Sequence, residues 1–244
     1  ILVEDDIDCP RYSGGLITNV SVCPSPIWMQ DRLIAAGQRP INNLVDISNF
    51  VLLEFGQPTH IFDYDKLANK EILVRRANKN ESIKTLDQNK FKLNNNHLLI
   101  TDGKNPIALA GIMGGSSSAV SDDTTNIFIE SAYFNPVTIR KGSKDLSIST
   151  EASKRFERGA DPEATVAAFW RVVNLIEECA NGRFDGDFID YYPKTISIKP
   201  IEIRKNEIEL ILGLKIEDDF IIATLKGLGF NISKNNTGFN CTPP

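Results

Sequence analysis

The chain has 244 residues, 41% of them hydrophobic, and a formal net charge of −5. That length and apolar content supply one large core and a second, smaller one, while no run approaches the roughly 18 apolar residues needed to cross a bilayer. The acidic balance argues against a protein that grips nucleic acid over its whole surface, because phosphate binding is driven by counterion release to Lys and Arg.

The first residues, ILVEDDIDCP, lack Met and carry neither the basic flank nor the apolar centre of a signal peptide, so a cytoplasmic piece of a longer protein is expected. Cys9, Cys23, Cys179 and Cys241 are too scattered for a zinc knuckle or a redox pair. The four thiols are therefore expected to be reduced, with no metal site. Residues 11 to 22 alternate as a strand, closed by Pro24-Ser25-Pro26. Ser25 is placed to cap a helix whose first residue is Pro26, with Trp28, Leu33, Ile34 and Ala35 on its apolar face and Gly37 at its end.

Arg39 precedes Pro40 and must be extended, which projects its guanidinium toward the helix that follows. In that helix Leu44, Ile47, Phe50, Val51 and Leu53 recur at helical spacing, whereas Asn42, Asp46 and Asn49 share another face. Gly56 ends it in a left-handed conformation and Pro58 forbids its resumption, so His60 falls in a turn just beyond. On this stretch alone, a helix with a solvated polar stripe is the plainer reading and a site is the alternative.

Residues 71 to 76, 82 to 86, 90 to 93 and 97 to 100 read as short strands of an antiparallel sheet, with His97 a surface residue in a turn. PIALAGIMGG, residues 106 to 115, is an apolar strand whose Gly111, Gly114 and Gly115 expose backbone to a ligand or serve a tight turn. Ile127 to Phe134 is strongly β-prone, and Glu130 is its single charge. Glu130 either faces water or is buried; the two-residue period puts Phe128 and Ala132 on its face, which disfavours a simple water-facing edge, and a buried carboxylate would need a partner, in a pocket or in a structural ion pair.

Asn135-Pro136 opens a helix to about Lys144, and Thr150 is placed to cap another from Glu151 to Arg158. Between residues 140 and 158 six cations face three acids, a net +3 that is either a phosphate contact or a solvated pair of helices. Asp161-Pro162 opens the longest helix, to about Asn181, with Val166, Phe169, Trp170, Val173, Ile176 and Cys179 on its buried face, and residues 184 to 192 return as a strand. The organisation changes near Pro193-Lys194. A strand at 196 to 203, helices at 206 to 212 and 218 to 228 and a hairpin turning at 235 to 238 form a separate module over residues 194–244, cut short at its end, for scaffold or contact. The whole is expected to be α+β, with antiparallel and mixed sheets packed by helices.

Three segments, RPINNLVDISNFVLLEFGQPTHIFD, ALAGIMGG and STEASKRFERGADP, closely resemble the beta subunit of bacterial phenylalanyl-tRNA synthetase, in its central editing domain. The resemblance runs from about Cys9 to Tyr192, within a domain over residues 1–193, and the remaining module looks like the start of a small domain similar to DNA-binding folds. It implies hydrolysis of tyrosine wrongly attached to tRNA(Phe), with the tyrosine moiety as the group recognised. Carried onto this sequence, the family's editing residues fall on Arg39, Asn49, His60, Ala110, Gly111, Gly114, Glu130, Thr150 and Ala152. Arg39, Asn49, His60 and Thr150 would serve the chemistry or hold the tRNA end and water; Glu130, Ala110, Gly111, Gly114 and Ala152 would hold the amino acid. The resemblance further implies a parent of two alpha and two beta subunits that uses ATP and Mg2+ for synthesis, with no cofactor in this segment. A structural tRNA-contact module, inactive when excised, is the competing expectation.

Overall fold

The structure is a computed structural model and describes residues 1–184 and 186–244. The chain divides into two compact units, Ile1–Lys194 and Thr195–Pro244. The spine of the first is the strand Ile127–Tyr133, whose first six residues are all buried. Arg11–Thr18 pairs antiparallel along one of its edges and Thr59–Asp63 along the other. β-Branched and aromatic residues suit that central place, because both faces of the pleat must be packed.

The two faces have different neighbours. Ile127 and Ile129, with Ile17 and Ile61, pack on Leu44, Val51, Leu33, Phe169 and Val173. These come from the helices Ile27–Ala35, Asn43–Phe55 and Ala164–Cys179. Phe128 and Ala132, with Tyr12 and Phe62, pack instead on Val74, Ile100 and Leu109 of a second sheet. That sheet runs in the order Leu2–Val3, Leu73–Arg76, Leu98–Thr101, Pro106–Leu109 and Met113–Gly114. Its first pair is parallel and the others antiparallel. Glu130 shares the parity of Phe128 and Ala132, so the strand period directs it between the sheets. The architecture is α+β, as the sequence implied.

Several local expectations are corrected. Ser25 does not cap the first helix; its hydroxyl donates to Asp46 at 2.5 Å. In the next helix Leu44, Ile47, Phe50 and Val51 are buried as expected, but Leu52 takes the buried place expected of Leu53, which is 38% exposed. The longest helix buries Ala168, Val172 and Leu175, while Trp170 is exposed and Cys179 only half-buried. The expected strand over residues 184 to 192 is two short ones, Arg183–Phe184 and Ile189–Tyr191, both paired to Arg11–Thr18. Asp185, inside that expectation, lies outside the described residues. Residues 106 to 115 are two short strands around a turn at Gly111, whose φ of +65° is left-handed. All four cysteines are free.

His97 is the clearest reversal. It is 2% exposed, its Nε2 lies 2.9 Å from Asp145 and its Nδ1 accepts the Asn94 N–H. The helix Pro136–Leu146, which carries Asp145, passes over it: a Cβ added at Gly142 would lie 3.9 Å from the ring. A polar loop sequence alone could not reveal that a helix some 45 residues later covers it. In the second unit Ile201–Arg204, Gly238–Thr242 and Asn231–Lys234 form an antiparallel sheet with two helices, around Ile221, Phe239 and Cys241. Its first strand begins at Ile201, five residues later than expected.

Candidate functional site

Within the first unit a cavity of about 540 Å³ is walled by the helix Asn43–Phe55, the strand Thr59–Asp63, the central strand, the glycine turn and the start of the helix Glu151–Phe156. Seven of the nine expected residues line it: Asn49, His60, Gly111, Gly114, Glu130, Thr150 and Ala152. Arg39 does not; it is exposed on the segment before the helix. Ala110 does not either, being wholly buried with its N–H bonded to Leu98.

His60 stands on the edge strand directly across from Glu130, so the expected turn beyond the helix is in fact a strand. Opposed residues of an antiparallel pair project to the same face, which brings the imidazole and the carboxyl to one wall. The His60 ring meets the Phe62 ring edge-on, with centroids 4.5 Å apart. A Cβ at Gly114 would lie 2.5 Å from His60 Cε1, so only glycine leaves the ring its place. Burial pushes the His60 pKa down to about 4, and its Nε2 is buried without a partner among the described residues. At neutral pH the ring is therefore uncharged.

Glu130 is 6% exposed and accepts one hydrogen bond, 3.0 Å long, from the hydroxyl of Tyr12. Burial pushes its pKa up to about 8, against the opposing pull of that bond. No cation pairs with it among the described residues, so the structural ion pair that its sequence left open is not what holds it. A carboxyl in these surroundings keeps its proton at neutral pH.

Thr150 has a local duty. Its hydroxyl accepts the Ser153 N–H at 3.0 Å, in a capping box, and donates to the Ile112 carbonyl at 2.8 Å. The helix cap is thus fastened to the glycine turn, and Ala152 in the first turn of that helix lines the cavity. At Gly111 a Cβ would meet Phe134, Ile139 and Phe156 within about 3 Å, so the turn requires glycine twice over, for φ and for space. Asn49 is half-buried and its side chain has no partner among the described residues. Asn42 and Asp46 are structural: Asn42 caps its helix by accepting the Val45 N–H, and Asp46 accepts from Ser25 and the Ile41 N–H.

Tyr12, Thr59 and Leu86 were not legible as site residues. Ser48 donates to the Thr59 carbonyl at 2.7 Å, with the Thr59 hydroxyl 3.0 Å away, on the same wall. Tyr12 alternates with Gly14 along its strand, a signal that gains meaning only once the pairing register is known. In the basic run, Glu151 pairs with Lys154 and Arg155, and Arg140 donates to the Glu157 carbonyl.

A cavity with two buried, incompletely partnered polar groups on one wall, set on paired strands, has the make-up that small-molecule sites share in general. The model of the B3/4 domain matches residues 8–181, and the chain belongs to that family. It is 45% identical over 244 residues to the phenylalanine–tRNA ligase beta subunit from Geobacillus kaustophilus (strain HTA426), covering 100% of this chain and 30% of that protein. The beta subunit of Thermotoga maritima (strain ATCC 43589 / DSM 3109 / JCM 10099 / NBRC 100826 / MSB8) is 44% identical over 242 residues, covering 99% of this chain and 30% of its own. That of Bacillus subtilis (strain 168) is 44% identical over 234 residues, covering 96% and 29%. The chain thus spans about 30% of the length of these relatives. A crystallised N-terminal fragment of the phenylalanyl-tRNA synthetase beta-subunit from Pyrococcus horikoshii aligns with 100% of this chain and 67% of its own, at a TM-score of 0.49 and 15% identity, too distant to bear on the site. Among the described residues, no helix is long and apolar enough to cross a membrane.

Proposed function

We propose that this cavity is an editing site, which hydrolyses the ester of tyrosine misattached to tRNA(Phe) and so supports accurate synthesis by the parent ligase. The observation that carries the reading is Glu130, a buried carboxyl with one protein partner on the wall of a cavity whose other lining is largely apolar. Tyrosine differs from phenylalanine by one hydroxyl. An apolar pocket rejects an added hydroxyl only ~10²-fold, so a synthetic site gains from a second sieve that accepts tyrosine and refuses phenylalanine. A site built to bond a hydroxyl refuses the analogue lacking it by about 10⁴ to 10⁵, because its polar group is then left buried and unpaired. The cavity's size falls within the ~300 to 1,000 Å³ usual for small-molecule sites.

The chemistry asks little of the protein. An aminoacyl ester is already activated, so a positioned water and support for the oxyanion suffice. A neutral His60 with a pKa near 4 is a weak base at pH 7 and suits orientation of the terminal ribose or the water. Asn49, half-buried and unpartnered, suits the same task, and the exposed Arg39 suits contact with the tRNA beyond the cavity. In this reading tRNA(Phe) and the parent's alpha subunit are the partners, while ATP and Mg2+ serve a synthetic site outside this segment.

The test is release of tyrosine from tyrosyl-tRNA(Phe) by the 244-residue chain, set beside phenylalanyl-tRNA(Phe). Release of tyrosine with phenylalanine spared is expected. Inactivity of the chain, with activity in the parent subunit, would instead favour a module that edits only with tRNA held elsewhere. A pH–rate profile with an ionisation near 6 to 7 would contradict the orienting role of His60.

A further inference from the structure

We propose that Tyr12 is a positioning residue that fixes which oxygen of the Glu130 carboxyl carries the proton, so that the cavity is offered an O–H donor and selects ligands whose own hydroxyl can accept. The inference deepens the editing reading and rests on it. Tyr12 is fully buried, and its hydroxyl donates to Glu130 Oε2 at 3.0 Å. The strand register makes this possible. Tyr12 lies opposite Ala132, whose small side chain lets the ring run diagonally toward Glu130, while the Phe128 ring fills the space above Gly14 on the other side of the carboxyl. Diagonal neighbours on one face are within reach of an aromatic side chain.

The direction of the bond follows from the proton count. A phenol has one proton, and Tyr12 is kept neutral because burial, then the nearby Glu130, push its ionisation well up. That proton goes to Oε2, so in the protonated carboxyl that burial favours at neutral pH Oε2 is the carbonyl oxygen. The acid proton is left on Oε1, which has no partner among the described residues although Glu130 lines the cavity. The titratable groups around the carboxyl do not supply a counter-charge: Cys9 lies beside Tyr12, His60 is uncharged on the flanking strand, and Glu151 across the cavity is held by Lys154 and Arg155. Without Tyr12 the proton could sit on either oxygen and the carboxyl could turn, and a ligand hydroxyl would meet no fixed donor.

The experiment uses the 244-residue chain, with free L-tyrosine and L-phenylalanine as probes, and Tyr12→Phe beside the wild type. Calorimetry gives the ratio of the two affinities. Carboxyl ¹³C NMR on glutamate-labelled protein gives the midpoint at which Glu130 ionises. The wild type is expected to prefer tyrosine and to hold Glu130 protonated at pH 7, with a midpoint near 8. Tyr12→Phe is expected to cut the preference roughly 3- to 10-fold, the worth of one buried hydrogen bond. It should also move the midpoint upward, because the lost bond favoured the charged form. A Tyr12 hydroxyl that does not bond the carboxyl in solution would leave that midpoint in place. An ionised Glu130 at pH 7 in the wild type overturns the inference even if the variant fails to fold. A wild type that prefers tyrosine, with a variant unchanged in both readouts, overturns the inference alone. A wild type with no preference overturns both it and the editing reading.

Discussion

The molecule holds two histidines, both inside the first unit, and each is set near a carboxyl. His97 has both ring nitrogens engaged, one by Asp145 and one by the Asn94 N–H. Among the described residues, His60 has a buried nitrogen with no partner and shares its wall with Glu130, whose only partner is Tyr12. The two carboxyls diverge accordingly. Bonds from Asn94 and then His97 hold Asp145 below its ordinary value, whereas burial drives Glu130 up to about 8. The contrast teaches that burial does not mark the site; buried polarity left unsatisfied beside a cavity does. The Asp145 side satisfies its polar groups and fastens a helix to a turn, while the Glu130 side leaves them open to a ligand.

Substitutions that touch one side and spare the other sharpen this contrast. The largest effect is expected from Gly114→Ala, whose Cβ would fall on the His60 ring. A displaced ring should lower tyrosine release by ~10²-fold, the usual penalty for misplacing a site by about an ångström. Near-normal release would show that the ring's position is unimportant. Next, His97→Ala should cost about 2 kcal/mol of stability by emptying a buried position and freeing the Asn94 N–H, measured by urea unfolding. Its selection of tyrosine over phenylalanine should be unchanged.

A smaller effect comes from pH. Glu130 has a raised folded pKa, so its contribution is complete below about 4.5 and is lost as pH climbs through 8. His60 has a lowered folded pKa, so its contribution is present above 6.5 and is lost as pH falls toward 4. Between pH 6.5 and 8 the loss at Glu130 outweighs the few tenths of a kcal/mol still gained at His60, and stability should fall on the order of 1 kcal/mol in the wild type. Glu130→Gln should flatten that slope; an unaltered slope would place the ionisation elsewhere.

Much of this wall was legible beforehand, for local reasons. Gly56 does end its helix in the left-handed conformation, with φ +70°, and the two-residue period did put Glu130 in the interior with Phe128 and Ala132. Thr150 fits its helix-cap reading, a rule that depends only on neighbours in sequence. What stayed hidden depends on register and on distant packing. Nothing local places Tyr12 beside Glu130, 118 residues away, or covers His97 with the helix of Asp145, 48 residues on. Ser25 was expected to cap its own helix, and only the fold shows that it serves Asp46 instead.

The most direct test sets Glu130→Ala and His97→Ala side by side in one assay, scoring release of tyrosine and of phenylalanine from tRNA(Phe). Loss of tyrosine selection in the first, with selection intact in the second, is the predicted result. Wild-type selection in Glu130→Ala, or its loss in His97→Ala, would contradict the assignment of the site to the unsatisfied wall.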